Sequence, residues 1–527
     1  MAAGRAALRG RQRGQALVFI CVTTVVVVLA ALVMYSVGQL TNNKMKLQNT
    51  ADAAVYSAAL VQARDLNFTA YMNRATIANQ VAVAQIVSLT SWARHLDDMY
   101  SGEYVSIADT LADMSTLSAL WTVPSEIGQS VGKVAKQAFN SAGPVLVKVL
   151  DLLIDAFRVA SMGYHLGMTV DLVEVVPDVI HANDANADLS LLGTAAVAIS
   201  AAQHIAFAKT MKPGGSSPSD GDKRMANVTD ASMDLFYKNR TLPLTFYPLP
   251  MLIDPVRLFE PGVGPLVMFR FHGGGTDLDS TSSGAQYLKA WNGTDDSGLF
   301  VIFCITISIL GIPVPIPFPL PPLPAGHGAA AAGDYQSSVL MFGSELTHRD
   351  TDNSGTDSRA AVPYGGVYLN PYTMITYYQQ VAEGPGTNMD SRAGLRDYYD
   401  VKDNAQGTTS HQATTATSGT NYHNDVAPAM IIEIQRPTST ISTSSTGSFR
   451  IGGGTGGQLD LPDKTVGNKL KALSKAEAYF SRPKALFPRS DGKTEWGSLY
   501  NPYWQPRLVA NSLLEQAASF LGSAAFP

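Results

Sequence analysis

Cysteine is nearly missing from this chain: Cys21 and Cys304 are the two thiols in 527 residues. Their separation rules out a disulfide framework and matches neither a zinc-ligand nor a dithiol redox spacing. Both read as small apolar residues. Charge is scarce as well, at 15% Asp, Glu, Lys and Arg. The formal net charge of −5 leaves no basic field of the kind nucleic acid selects. The nine histidines show no HExxH and no paired spacing, so they read as scattered surface side chains and assign no metal site. Gly452–Gly457 lacks the Lys-Ser/Thr that completes a phosphate loop.

What is present begins with an uninterrupted apolar run, ALVFICVTTVVVVLAALVMY, from Ala16 to Tyr35. Some 20 residues at about 1.5 Å each match a hydrocarbon core of about 30 Å. A valine-rich stretch is a poor helix in water, but in lipid the backbone must satisfy itself, so helix is expected. Thr23 and Thr24 can return their hydroxyls to the backbone. Arg5, Arg9, Arg11 and Arg13 precede the run with no acid among them. They keep the N-terminus on the cytoplasmic side. The competing reading, a cleaved signal peptide, fits less well because the run is long and no small-x-small site closes it.

A chain of 527 residues exceeds one compact domain. After Gly38, Leu47, Ala51, Ala54, Ala58 and Val61 recur at spacings of four and three, the seam of an amphipathic helix. Its alanines permit close helix contact, and helical character continues through Trp92. From Ile107 to Met211 the pattern stays helical, and Pro124, Pro144 and Pro177 predict a division into several helices. Pro213–Lys223 reads as a linker. Phe246, Tyr247, Val263–Phe271, Val339–Phe342 and Val367–Tyr378 are β-prone. Leu299–Leu310 reads as a buried strand leading into polyproline II over GIPVPIPFPLPPLP, with a shallow membrane contact as the alternative. Gly407–Thr420 and Thr438–Gly457 read as Ser/Thr/Gly loops. The tail returns to helix from Leu508 to Leu521. The expected order is a basic tip (1–14), an anchor (15–38), a helical region (39–211), a linker (212–224), a β-containing region (225–464) and a helical tail (465–527). The class is α+β.

Arg13-Gly-Gln-Ala-Leu-Val18, followed by Leu47-Gln-Asn-Thr-Ala-Asp-Ala-Ala54, resembles the N-terminal region of TadG-like proteins of the Flp, or tight-adherence, pilus system. Ala70–Gln85, Ser474–Pro483 and Leu499–Leu508 resemble larger members of that group. The resemblance implies a role in assembling a pilus or its secretion apparatus, beside pseudopilin-like subunits and other membrane proteins of the assembly. Two features depart from neighbouring patterns. Gly14 precedes Gln15, but the fifth following residue is Phe19 rather than the Glu of type IV prepilins, which argues against peptidase processing. Asp279-Ser-Thr-Ser-Ser283 approaches the metal motif of a von Willebrand type A domain, but Thr281 replaces a Ser and His272–Gly275 interrupts the strand.

Other motifs are weighed on their chemistry. Gly128-Gln-Ser130-Val-Gly132 fits a nucleophile elbow and His272–Gly275 an oxyanion loop, yet Ser130 lies in helical sequence and the loop follows the nucleophile. No catalytic residue is assigned. Asp350, Asp352 and Ser354 could begin a Ca²⁺ loop, but Ala361 stands where the bidentate Glu belongs, so a solvated turn is expected. Tyr500, Tyr503 and Trp504 read as a packed corner or a partner anchor. The chain is therefore expected to be a non-enzymatic, single-pass protein of a bacterial inner membrane. Its N-terminus would be cytoplasmic, its bulk periplasmic and its cofactors none. Gly38, Leu47, Ala51, Ala54 and Ala58 would permit close lateral packing of this helix with helices of partners. The alternatives are a membrane-tethered, adhesin-like binding module from Lys223 onward, and an anchored hydrolase.

Overall fold

The computed structural model describes residues 15–101, 111, 113–115, 118–211, 228–233, 240, 251–279, 290–320, 323–333, 362–364, 367–369, 398–401, 410–414, 420–441, 469–483, 486, 495 and 497–525. The helices are α1 (Gln15–Ser101), α2 (Ser118–Asn183), α3 (Leu191–Phe207) and α4 (Leu513–Ala525). The first strands are β1 (Asp188–Leu189), β2 (Ala208–Met211), β3 (Met251–Ile253), β4 (Gly262–Asp279) and β5 (Ala290–Ile309). They are followed by β6 (Ile312–Pro319), β7 (Leu323–Gly333), β8 (Val362–Tyr364), β9 (Val367–Leu369) and β10 (Tyr398–Val401). The last are β11 (Ser410–Thr414), β12 (Thr420–Asn424), β13 (Met430–Pro437), β14 (Lys469–Phe480) and β15 (Trp504–Leu508). The fold is α+β.

The chain forms two compact units, and neither is a continuous stretch. The first comprises Met1–Ala70, Met162–Lys209 and Val401–Pro527; the second comprises Tyr71–Ser161 and Thr210–Asp400. The expected division into consecutive regions is corrected by this interleaving. Both long helices contribute to both units, so no composition shift along the sequence marks a boundary. The expected linker, 212–224, lies wholly outside the described residues.

α2 runs unbroken from Ser118 to Asn183, although Pro124, Pro144 and Pro177 predict several helices. Each interior proline costs a backbone hydrogen bond, of order 3 kcal/mol. The compensation comes from a buried stripe: Val147 and Ile154 in the second unit, and Leu172, Val176 and Ile180 in the first. Burying such side chains contributes about 1.5–3 kcal/mol each, so packing outweighs propensity.

The first unit is built on an antiparallel sheet in the order β1-β13-β14-β15. Its core joins Leu47, Ala51, Ala54 and Ala58 of α1 to Leu172 and Val176 of α2, Val197 of α3, and Met430, Ile432, Ile434, Leu470 and Ala472 of the sheet. β14 reads KLKALSKAEAYF, residues with good helix propensity, and a helical tail is the expectation from residue 465. The structure corrects it. Leu470, Ala472, Ser474 and Ala476 fall at every second position, and all four are buried; that period of two fits a strand and would scatter around a helix. Helix begins only at Leu513. The expected loop at 407–420 is also corrected in part, since β11 pairs with β12 in a hairpin.

The second unit holds a sheet in the order β3-β4-β5-β6, with β7 pairing along the other part of β5. The strand expected at Leu299–Leu310 is present, and Leu299, Val301, Phe303 and Cys304 are buried in it. The polyproline expectation is corrected: Ile312–Pro319 pairs with β5 as β6. The connection is the two-residue turn Leu310-Gly311, both at positive φ, the geometry that suits a tight hairpin. Ile309 and Ile312 close that turn, which makes 307–314, 305–316 and 303–318 the other hydrogen-bonded pairs. Pro313, Pro315, Pro317 and Pro319 therefore fall at the alternate positions, where the missing N–H would face outward. Proline is tolerated at a sheet edge for that reason, and it blocks further pairing there.

Helix α1 lies close against β5 and β7 in this unit. A Cβ at Gly328 would collide with the Ser91 carbonyl oxygen and the His95 backbone nitrogen. Gly328→Ala is expected to destabilise the second unit by about 1–3 kcal/mol, measured as a lower midpoint in denaturant. Gly311→Ala, whose Cβ has open space around it but a φ of +81°, should cost only the smaller local backbone strain of about 1 kcal/mol.

Candidate assembly helix and buried polar centres

The first part of α1 is the one candidate membrane span among the described residues. From Leu17 to Tyr35 all its large side chains but Leu29 and Leu32 are exposed; Phe19 is 73% exposed and Met34 75%. A helix with apolar side chains all round is stable when its surroundings are apolar too. Thr23 Oγ1 donates to the Phe19 carbonyl at 2.7 Å and Thr24 Oγ1 to the Ile20 carbonyl at 2.8 Å, so neither hydroxyl demands an external partner. No charge occurs from Gln15 to Asn43. Arg5, Arg9, Arg11 and Arg13 lie outside the described residues.

Beyond the span, α1 changes from an exposed rod to a buried spine. Gly38 remains exposed, and a Cβ there would meet nothing within 4 Å. Leu47, Ala51, Ala54 and Ala58 are each 0% exposed. The expectation that this seam receives helices of partner proteins is corrected for those four residues, because strands and helices of the same unit fill it. Small side chains were needed, but for a sheet to approach.

Polar side chains on α1 fix that approach. Gln48 Nε2 donates to the Leu473 carbonyl at 3.1 Å, and Ser474 Oγ to Asp52 Oδ1 at 2.5 Å. Asn67 and Trp504 exchange two bonds at 2.9 Å, side-chain amide to backbone in both directions. The stretches 47–54, 474–483 and 499–508, from opposite ends of the chain, thus meet within one unit. Trp504 stacks edge-on to Phe207 and Phe480, and Tyr503 to Phe480; the aromatic corner is packed. In the second unit the Asn73 amide bonds the Tyr399 backbone (2.6 Å to its carbonyl), and Gln80 Oε1 accepts from Trp291 Nε1 at 3.0 Å.

Two buried centres contain histidines that the sequence reading placed on the surface. In the second unit, Arg240 Nε donates to Asp295 Oδ1 and Nη2 to Oδ2, both at 2.8 Å. His272 Nε2 lies 3.1 Å from Asp295 Oδ1, and Ser91 Oγ also bonds this carboxylate. Arg240 further donates to Thr276 Oγ1 and the Gly275 carbonyl, each at 2.9 Å. Burial pushes the Asp295 carboxyl up, but the charge of Arg240 and the bond from His272 outweigh it and hold the group well below the usual carboxylate range. His95 bonds Ser297 at 2.9 Å, and its ring lies 4.6 Å from that of His272.

In the first unit, His165 Nδ1 and His204 Nε2 both bond Asp65 Oδ2, the latter at 2.7 Å. The three side chains come from α2, α3 and α1, and are 5%, 0% and 0% exposed in that order. Burial pushes the Asp65 carboxyl up, but hydrogen bonds from both rings win and its net shift is downward. Burial likewise lowers His165, yet the Asp65 bond and charge raise it overall. The one available sequence signal was that His165 falls on the buried stripe of α2, seven residues before Leu172.

Of the remaining motifs, the nucleophile-elbow pattern and the oxyanion-loop pattern lack their required setting. Ser130 is exposed within α2 with no strand before it, and His272–Gly275 lies inside β4. Asp350, Asp352 and Ser354 lie outside the described residues, as do Ser280–Ser283. Sequence reasoning also missed an exposed apolar stripe on the second unit's part of α2: Ile127, Val131, Val134, Val145, Val149, Leu152 and Val159. Its spacings of four, three, eleven, four, three and seven keep one face of a helix.

The comparisons agree with the N-terminal resemblance. A family model described as putative Flp pilus-assembly TadE/G-like matches residues 14–63. No curated protein and no solved structure matches the chain. The matched segment contains the exposed span and the buried alanine seam, so the likeness to TadE/G-like Flp pilus-assembly proteins falls on the first helix of this chain.

Proposed function

We propose that the protein is a non-enzymatic accessory component of Flp/Tad pilus assembly, anchored in the bacterial inner membrane by α1. One observation carries this reading. The family match at 14–63 falls on the first part of α1, where an exposed, uncharged and mainly apolar stretch is followed by the spine of a folded unit. Such a helix couples a membrane span directly to a folded body. The arginines before it favour a cytoplasmic N-terminus and a periplasmic bulk. Contacts with other pilus-assembly proteins and pseudopilin-like subunits fall to the surfaces still open. These are the span itself, where exposed Gly38 allows close helix approach, and the apolar stripe Ile127–Val159 of α2, which suits an amphipathic partner helix.

The test is a clean deletion with complementation, with pili imaged by electron microscopy and adherence scored. Loss of pili, restored by complementation, is the expected result. Normal pili with reduced adherence would transfer the reading to a tethered binding module. No change in either would remove the assembly role. Reporter fusions at the two ends, one active only in the cytoplasm and one only in the periplasm, check the orientation.

A further inference from the structure

In the first unit, one carboxylate and two imidazoles from three helices converge, and all three are almost wholly withdrawn from solvent. One potential ligand atom from each of Asp65, His165 and His204 lies within 4.8 Å of the other two. We propose that these three residues form a binding site for one divalent first-row transition-metal ion, of the Zn²⁺ class, that ties α1, α2 and α3 together. This inference is independent of the role proposed in pilus assembly.

The donor set is the first argument. Two imidazole nitrogens with one carboxylate oxygen suit Zn²⁺ and its neighbours in the series, and are a poor set for Ca²⁺ or Mg²⁺, which take oxygen. An ion about 2.0–2.1 Å from each nitrogen would replace the two hydrogen bonds to Asp65 Oδ2, the three ligand atoms moving slightly apart to admit it. The second argument is what the metal-free network leaves unmet. Both rings bond the same oxygen of Asp65, while Asp65 Oδ1 and His204 Nδ1 are buried with no hydrogen-bond partner among the described residues. A buried carboxylate normally fills its acceptor capacity, so an unused oxygen in the cluster is a donor open to a cation.

The full-length protein, purified in detergent and stripped with chelator, is exposed to Zn²⁺ and desalted, and its metal content and thermal unfolding are measured. The expected result is about one Zn²⁺ per chain and a midpoint raised by several degrees, as a ligand of the folded state requires. Asp65→Asn and His204→Gln should each lower retained Zn²⁺ about tenfold or more, whereas His272→Gln, in the other buried cluster, should leave it unchanged. If neither ligand variant folds, Co²⁺ titration of the unaltered chain decides. Visible absorption of a tetrahedral nitrogen-oxygen site, saturating at one equivalent and displaced by Zn²⁺, supports the site. Absence of stoichiometric Zn²⁺ in the unaltered chain, or retention unaffected by both ligand substitutions, overturns it.

Discussion

Asp295→Ala is expected to destabilise the second unit by about 3–5 kcal/mol, because it leaves the Arg240 guanidinium charged, buried and without its counter-ion. Both side chains are 0% exposed in the ion pair, so water cannot replace the lost partner. Against a typical total stability of about 5–15 kcal/mol, this is enough to populate an unfolded second unit. Arg240→Met should cost a similar amount, since it leaves the buried carboxylate without its counter-ion and removes the donor to Thr276 Oγ1 and the Gly275 carbonyl. Replacing both partners should cost less than the sum of the single changes, as it removes the uncompensated charge. It should not restore full stability, because those polar neighbours remain. Hydrogen exchange of peptides from β4 and β5 reads the effect locally. Unchanged exchange in Asp295→Ala would show that the pair contributes nothing to the unit.

The same pair sets an acid limit. The Asp295 carboxyl is depressed in the fold by Arg240 and His272 despite its burial. A depressed acid contributes stability that is fully present above its unfolded value, about 3.9, and is lost as pH falls toward its folded value. β4 and β5 should therefore begin to open as the pH drops below about 4, and Asp295→Ala should lack this component of the acid transition.

Ala54→Leu and Ala58→Leu are expected to destabilise the first unit by about 1–3 kcal/mol each, with a midpoint measured in denaturant as the check. Both alanines are fully enclosed where α1 meets the sheet, and three added carbons have no space there. Together with Ala51→Leu the loss would approach the whole stability of a modest domain. Gly38→Leu, in open surroundings, should leave that midpoint unchanged. These variants also separate two meanings of the seam. If Ala54→Leu lowers pilus assembly in step with stability, the seam acts through folding. If assembly falls while stability holds, the seam touches a partner after all.

The seam shows how far a local pattern reaches. Leu47, Ala51, Ala54 and Ala58 are legible as one helix face because their spacing repeats every turn, and they do lie on one helix. What covers them is not legible, since Met430 and Leu470 stand several hundred residues away. β14 shows the opposite failure: its residue types favour helix, and only the alternation of Leu470, Ala472, Ser474 and Ala476 betrays a strand. In α2, prolines that locally predict breaks are overruled by the burial of Ile154 and Leu172.

The sequence by itself determined the long apolar helix that is the candidate membrane span, its basic flank, the continuation into an amphipathic helix, the buried strand at Leu299 and the mixed class. Each of these is written in charge or in a period of 3.6 or 2 within a short window. Only the tertiary structure decided that two units interleave along the chain, that β6 is an edge strand built on alternating prolines, and that His165 and His204 share Asp65 across separations of 100 and 139 residues. Contacts over such distances are made by packing three helices together, and no periodicity within any one of them records which side chains will meet.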